Sequence, residues 1–147
     1  MTRLAVWART SVMVVGLGLG LLVGQSVAAG QTKPVKATDA WIKLPAAGET
    51  SAVAFASVEN PGMYAIYLLT ATSDVATKVE YRNAAKAGAA LEEVSVDAYA
   101  TTYMDPKGIH MVLTGLKRPL KLGETITIML KTEMGIPVEV SAVVKKE

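Results

Sequence analysis

The chain is 147 residues long, with 15 Lys+Arg against 13 Asp+Glu, one histidine and no cysteine. The missing cysteine excludes disulfides and thiolate chemistry, so the fold has to rest on its hydrophobic core. Both charge signs are nearly equal, which leaves no basic surface for nucleic acid.

Arg3 and Arg9 precede an apolar run from Ser11 to Val23, and the small residues Ser26-Val27-Ala28-Ala29-Gly30 follow. This three-part layout is that of a secretory signal peptide, with cleavage after Ala28 or Ala29. A membrane anchor is the alternative reading. Against it, the run is shorter than the roughly 20 residues needed to span a bilayer, and it contains Gly16, Gly18 and Gly20. Those glycines belong to the leader, so they do not form a phosphate-binding loop. Residues 1–29 are thus read as signal peptide, 30–38 as a solvated leader carrying Lys33, Pro34 and Lys36, and 39–147 as one domain. The expected mature protein is exported, periplasmic or otherwise outside the cytoplasm, with no stable membrane span after processing. Loss of Arg3 and Arg9 brings its charges to balance.

From Asp39 onward the signals are strands and turns. Strands are expected at Asp39 to Lys43, Ala52 to Val58, Tyr64 to Ala71, Thr77 to Tyr81, Val94 to Val96, Thr101 to Tyr103, Ile109 to Leu113, Thr125 to Leu130 and Val138 to Val144. Pro45, Asn60-Pro61-Gly62, Asp105-Pro106-Lys107-Gly108, Gly123 and Gly135 separate them with turn chemistry. Ile126, Ile128 and Leu130 share one face of their strand, as do Val138, Val140 and Ala142, so one side of the sheet packs inward and the other meets solvent. The alanine-rich stretch Asn83 to Glu93 is open to two readings, a short helix or a loop with one helical turn, because Gly88 costs a helix about 1 kcal/mol. Such a strand series with short turns predicts an all-β fold, an antiparallel β-sandwich.

The single histidine lies in Gly108-Ile109-His110-Met111-Val112-Leu113-Thr114-Gly115-Leu116-Lys117-Arg118-Pro119-Leu120. An imidazole nitrogen beside a thioether sulfur is a soft, neutral donor pair that suits Cu(I) better than Mg, Ca or Mn. On a regular strand, however, successive side chains point to opposite faces, so His110 and Met111 would share an ion only across a β-bulge. Packing is the competing role for both residues. No Ser, His and acid arrangement forms a nucleophile motif, and Glu92-Glu93 reads as a solvated turn, so no enzyme is indicated.

The Gly108 to Leu120 run, followed by Gly123-Glu124-Thr125, resembles the C-terminal half of the periplasmic copper chaperone family PCu(A)C. Ala40-Trp41-Ile42-Lys43 is similar to that family's first strand, Ala52 to Asn60 to its second, and Lys78-Val79-Glu80 to the strand leading into its first ligand. The resemblance spans Asp39 to Val144 and implies a cupredoxin-like β-sandwich. It also implies Cu(I) as cargo, held by two His and two Met, and delivery to a periplasmic cuproenzyme or its assembly factor. Carried over residue by residue, the first His position falls on Arg82, a Met position on Ala84, a later Met position near Glu93, and the final His-x-Met on His110 and Val112. His110 is kept and Met111 is its immediate neighbour, which makes His110 and Met111 the candidate metal ligands.

Arg82 cannot ligate and would repel a cation. Paired with Glu93, it would instead form an ion pair in place of the metal. Met63, Met104, Met129 and Met134 read as gap-filling residues, with a soft-metal site near His110 as the alternative for Met63 and Met104. Tyr64, Tyr67, Tyr81, Tyr99 and Tyr103, with Trp41, read as core or sheet-surface packing, with a ligand-stacking platform as the alternative. Two functions follow: a periplasmic copper-chaperone-like protein that binds Cu(I) weakly, or a metal-free interaction or accessory protein of the same fold.

Overall fold

The computed structural model describes residues 33–147; the expected signal peptide lies outside them. Ten strands occupy most of this span: β1 (Lys36–Lys43), β2 (Ser51–Asn60), β3 (Ile66–Thr72), β4 (Ala76–Asn83), β5 (Ala89–Leu91), β6 (Val94–Val96), β7 (Ala100–Tyr103), β8 (Ile109–Leu116), β9 (Thr125–Thr132) and β10 (Pro137–Lys145). The all-β expectation is met. One 3-10 turn, Ala84–Lys86, is all that the alanine-rich stretch contributes as helix, and Asn83 caps it by accepting from the Ala85 amide. The same stretch then extends into β5, a strand that its alanines conceal.

Seven strands close into a ring in the order β4-β8-β2-β1-β10-β9-β3, and β3 returns to β4 through Ala71 and Val79. The structure is therefore a closed barrel where two facing sheets were expected. Closure removes most exposed edges, and the strands left off the ring, β5, β6 and β7, have only three or four residues each. One pairing departs from the antiparallel expectation. β1 and β10 run parallel, with Trp41 opposite Val143 and Ile42 opposite Val144; parallel neighbours need a long connection, and here it is the rest of the barrel.

β1 also begins three residues before the expected boundary, inside the solvated leader. Lys36, Ala37 and Thr38 pair with Glu59, Val58 and Ser57. The register then shifts between Thr38 and Trp41, with Asp39 in the left-handed region at φ 50°. This is a β-bulge, which bends the strand, and aspartate is among the residues that tolerate that conformation. A second register shift, between Leu68 and Thr70, bends β3.

Alternation fills the barrel interior. Ile126, Ile128 and Leu130 of β9 and Val138, Val140, Ala142 and Val144 of β10 are buried, alongside Ile42, Val58, Leu68, Met111 and Leu113. Among the described residues the only buried polar side chains are Asn60 and Thr132. Asn60 Nδ2 donates to the carbonyls of Tyr64 at 2.8 Å, Val96 at 3.1 Å and Asp97 at 3.0 Å, while its Oδ1 accepts from the Gly62 amide at 3.0 Å. One side chain thus ties the β2–β3 and β6–β7 loops together.

Asn60→Ala should lower stability by about 1–3 kcal/mol, the cost of leaving buried polar groups without partners. Asn60→Asp should cost at least as much, because it sets a carboxylate against three carbonyls. Urea unfolding would show this as a lower midpoint at unchanged slope.

Candidate metal site

β8 is bonded on both sides. Met111 lies opposite Ala54 of β2 and Tyr81 of β4, while His110 lies opposite Arg82 and Ile109 opposite Asn83. The register across β4 is continuous through this stretch, so no bulge re-aims either side chain. Met111 is completely buried in the core. His110 points outward. The structure does not bring the two expected ligands together, because neighbours on a regular strand face opposite ways.

Outward-facing side chains form a row across four strands. Trp41 packs on Phe55 with ring centroids 4.5 Å apart, and Phe55 lies 6.3 Å from the His110 ring; Arg82 follows on β4. Nδ1 of His110 is 3.0 Å from the Gly108 carbonyl, a contact that places the proton on Nδ1 and leaves Nε2 free to accept or to ligate. Beside the ring is a hollow of about 200 Å³ lined by Lys43, Val53, Phe55, Pro106, His110 and Glu147. Lys43 and Glu147 form an ion pair across it.

The positions matched to family ligands converge in part. Arg82 faces His110, Val112 follows His110 on the same face opposite Glu80, and the Ala84 amide donates to the same Gly108 carbonyl at 2.9 Å. The donor chemistry at these positions is poor, since imidazole is the one soft ligand among them. Among the described residues no group of three or more His, Asp or Glu could hold a metal ion. An intact two-His, two-Met set does not fit the residues present.

Arg82 takes its carboxylate from Glu80, at 3.0 Å, and not from Glu93; its Nη1 donates to the Gly88 carbonyl at 3.3 Å. Lys78 also pairs with Glu80, at 2.6 Å. The pattern Lys78-x-Glu80-x-Arg82 puts all three on one strand face, a period-two signal that the sequence reading missed. Lys78 first, and then Arg82, hold the Glu80 carboxyl below its usual range. Met104 is buried and Met63 exposed.

A core role for Met111 predicts that Met111→Ala destabilises by about 2–5 kcal/mol, while Met111→Leu costs less than about 1.5 kcal/mol. Copper retention should be equal in Met111→Leu and the parent, as read by anaerobic equilibrium dialysis. The lowered Glu80 value means that its stabilising contribution is present above the unfolded carboxyl value and is lost as pH falls through the folded one. Glu80→Gln should therefore flatten the stability profile in acid, measured by urea midpoints from pH 6 downward.

A family model described as "Putative lipoprotein LpqE-like" matches residues 35–144. The "Putative lipoprotein Lxx21020" of Leifsonia xyli subsp. xyli is 31% identical over 121 residues, covering 78% of this chain and 72% of its own. Among solved structures, the copper-bound PCuAC domain from PmoF2 superposes with a TM-score of 0.69 at 22% identity, covering 77% of this chain and 93% of that domain. The Cu(I) form of DR1885 from Deinococcus radiodurans gives 0.67 at 30% identity, covering 82% and 84%. These relatives are named as lipoproteins or copper-binding domains, not as enzymes. The chain belongs to the LpqE-like family and is built on the fold of PCuAC domains.

Proposed function

We propose that this protein is a divergent copper-chaperone-like member of the PCu(A)C group. In this reading it works outside the cytoplasm, holds Cu(I) weakly through His110 and passes it to a cuproenzyme or its assembly factor. The observation that carries the reading is the outward His110 with a free Nε2, at the level of the sheet where the matched ligand positions converge. One imidazole leaves Cu(I) short of donors. The remaining ligands would come from the acceptor, so that transfer proceeds by ligand exchange. Export is supported by the Arg-flanked apolar leader, with the mature chain starting at Ala29 or Gly30.

A second reading is favoured by a specific contact. Arg82, bound to Glu80, places a fixed cation opposite His110. In a metal-free accessory protein this ion pair would take over the joining of adjacent side chains that copper performs in an intact site.

Anaerobic Cu(I) titration of the exported protein against a chromophoric chelator separates the two. The chaperone reading expects one weakly held ion, lost in His110→Ala. Arg82→His with Ala84→Met and Val112→Met should tighten binding at least tenfold. No binding in the parent would establish the metal-free reading, and binding that survives His110→Ala would locate the ion elsewhere. Intact-mass analysis of the periplasmic fraction should show a chain beginning at Ala29 or Gly30; a full-length species in the membrane pellet would contradict the cleaved leader.

A further inference from the structure

The hairpin of β3 and β4 is forked. A tight turn joins the two strands, with the Ala76 amide on the Ser73 carbonyl at 3.3 Å, yet they share only the pair of Ala71 with Val79. Beyond it β4 pairs with β5, Arg82 opposite Ala90, and β3 pairs with β6, Leu68 opposite Val94. Residues 89–96 therefore run along one prong of the fork and back along the other. The second half of this wedge is anchored, because Val94 and Val96 are buried in the core. The chain leading into it is not: from Ala84 to Glu93 no residue is buried. A hollow of about 450 Å³ lies against it, with Leu69, Val79, Tyr81 and Leu91 among its walls.

Hydrogen bonds hold this segment down. The Ala84 amide donates to the Gly108 carbonyl and the Gly88 amide to the Asn83 carbonyl, both at 2.9 Å, and the three residues of β5 pair with β4. Ala87 and Gly88 both take left-handed backbone, at φ 55° and 72°, a conformation that costs alanine energy which glycine avoids. Elements with few buried apolar contacts open locally at far lower free energy than the whole fold. The wall behind survives such an opening, since the Tyr81 hydroxyl spans the fork to the Thr70 carbonyl at 3.2 Å and β4 stays paired to β8 from Ala76 to Asn83. Arg82 takes part in the closure. Its Nη1 donates to the Gly88 carbonyl at 3.3 Å and its Nη2 to Glu80 at 3.0 Å, while Nε is buried without a partner, a penalty on the closed arrangement. We propose that residues 84–93 form a flap that lifts from β4 while the barrel stays folded, freeing Arg82 from Gly88 and so changing how the guanidinium sits opposite His110. The flap operates under either functional reading.

Native-state amide hydrogen exchange of the exported protein, followed by NMR across low urea concentrations, tests it. Protection of the Gly88 amide and of the β5 amides that bond β4 should be at least 100-fold below that of Met111 and Val140. It should also be insensitive to urea, because local opening exposes little new surface. Gly88→Val puts a branched side chain at positive φ and should lower that protection at least a further fivefold. The same variant should shift the His110 ring signals, whereas Leu122→Ala, at an exposed position on the β8–β9 loop, should not. The urea slopes of the parent decide for or against the flap even where Gly88→Val does not fold. Exchange of Gly88 and β5 only with the slope of global unfolding would overturn the flap, as would protection unchanged in Gly88→Val. His110 ring signals unmoved in that variant would overturn the link through Arg82.

Discussion

Pairing of β8 on both of its edges is the constraint on which the candidate site depends. With β2 on one side and β4 on the other, the strand has no freedom to slip, since a one-residue shift would carry Met111 and Leu113 out of the core and His110 into it. The burial of those two side chains locks the histidine outward. The same lock sets its neighbours, because whatever lies opposite on β4 must face outward too. Arg82 is therefore beside His110 through the geometry of the core, whatever the chemistry of the surface.

The outward row is energetically separate from the barrel interior. Lys78, Glu80, Arg82, His110 and Val112 project from strands whose inward residues, Val79, Tyr81, Met111 and Leu113, do the packing. Surface substitutions away from caps, cavities and buried networks change stability little. A site of this kind can lose soft donors and gain a guanidinium while the barrel persists, which is how a chain can keep the PCuAC fold with only one of the matched ligands. Exposed ion pairs such as Lys78–Glu80 contribute little to stability, so the Arg82–Glu80 contact bears chiefly on what can approach His110.

Much of this was legible in the sequence wherever a local pattern carried it. The alternation of Ile126, Ile128 and Leu130, and of Val138, Val140 and Ala142, identified both the strands and their inward faces. The opposed directions of His110 and Met111 follow from the same period of two, with the bulge as the only escape. Non-local facts were hidden. Ring closure through Ala71 and Val79, and the parallel β1–β10 pair, join residues far apart in the chain, and no local periodicity records such contacts. Lys36 looked like solvated leader because an outward strand position tolerates lysine, and β5 was masked by alanines that equally suit a helical turn. Glu93 is placed near Arg82 only by the family resemblance, whereas strand periodicity points to Glu80, the partner found.

Asn60 connects the interior of the barrel to its surface chemistry. A fully buried amide is costly unless its hydrogen bonds are met, and this one is satisfied locally by the Gly62 amide and the Tyr64 carbonyl and, across the fold, by the carbonyls of Val96 and Asp97. Satisfying it fixes the backbone of the loops that expose Tyr64 and Tyr99. Two different structural devices thus set the surface of the barrel: strand alternation directs His110 outward, and a buried side-chain clamp holds the loops around Tyr64 and Tyr99.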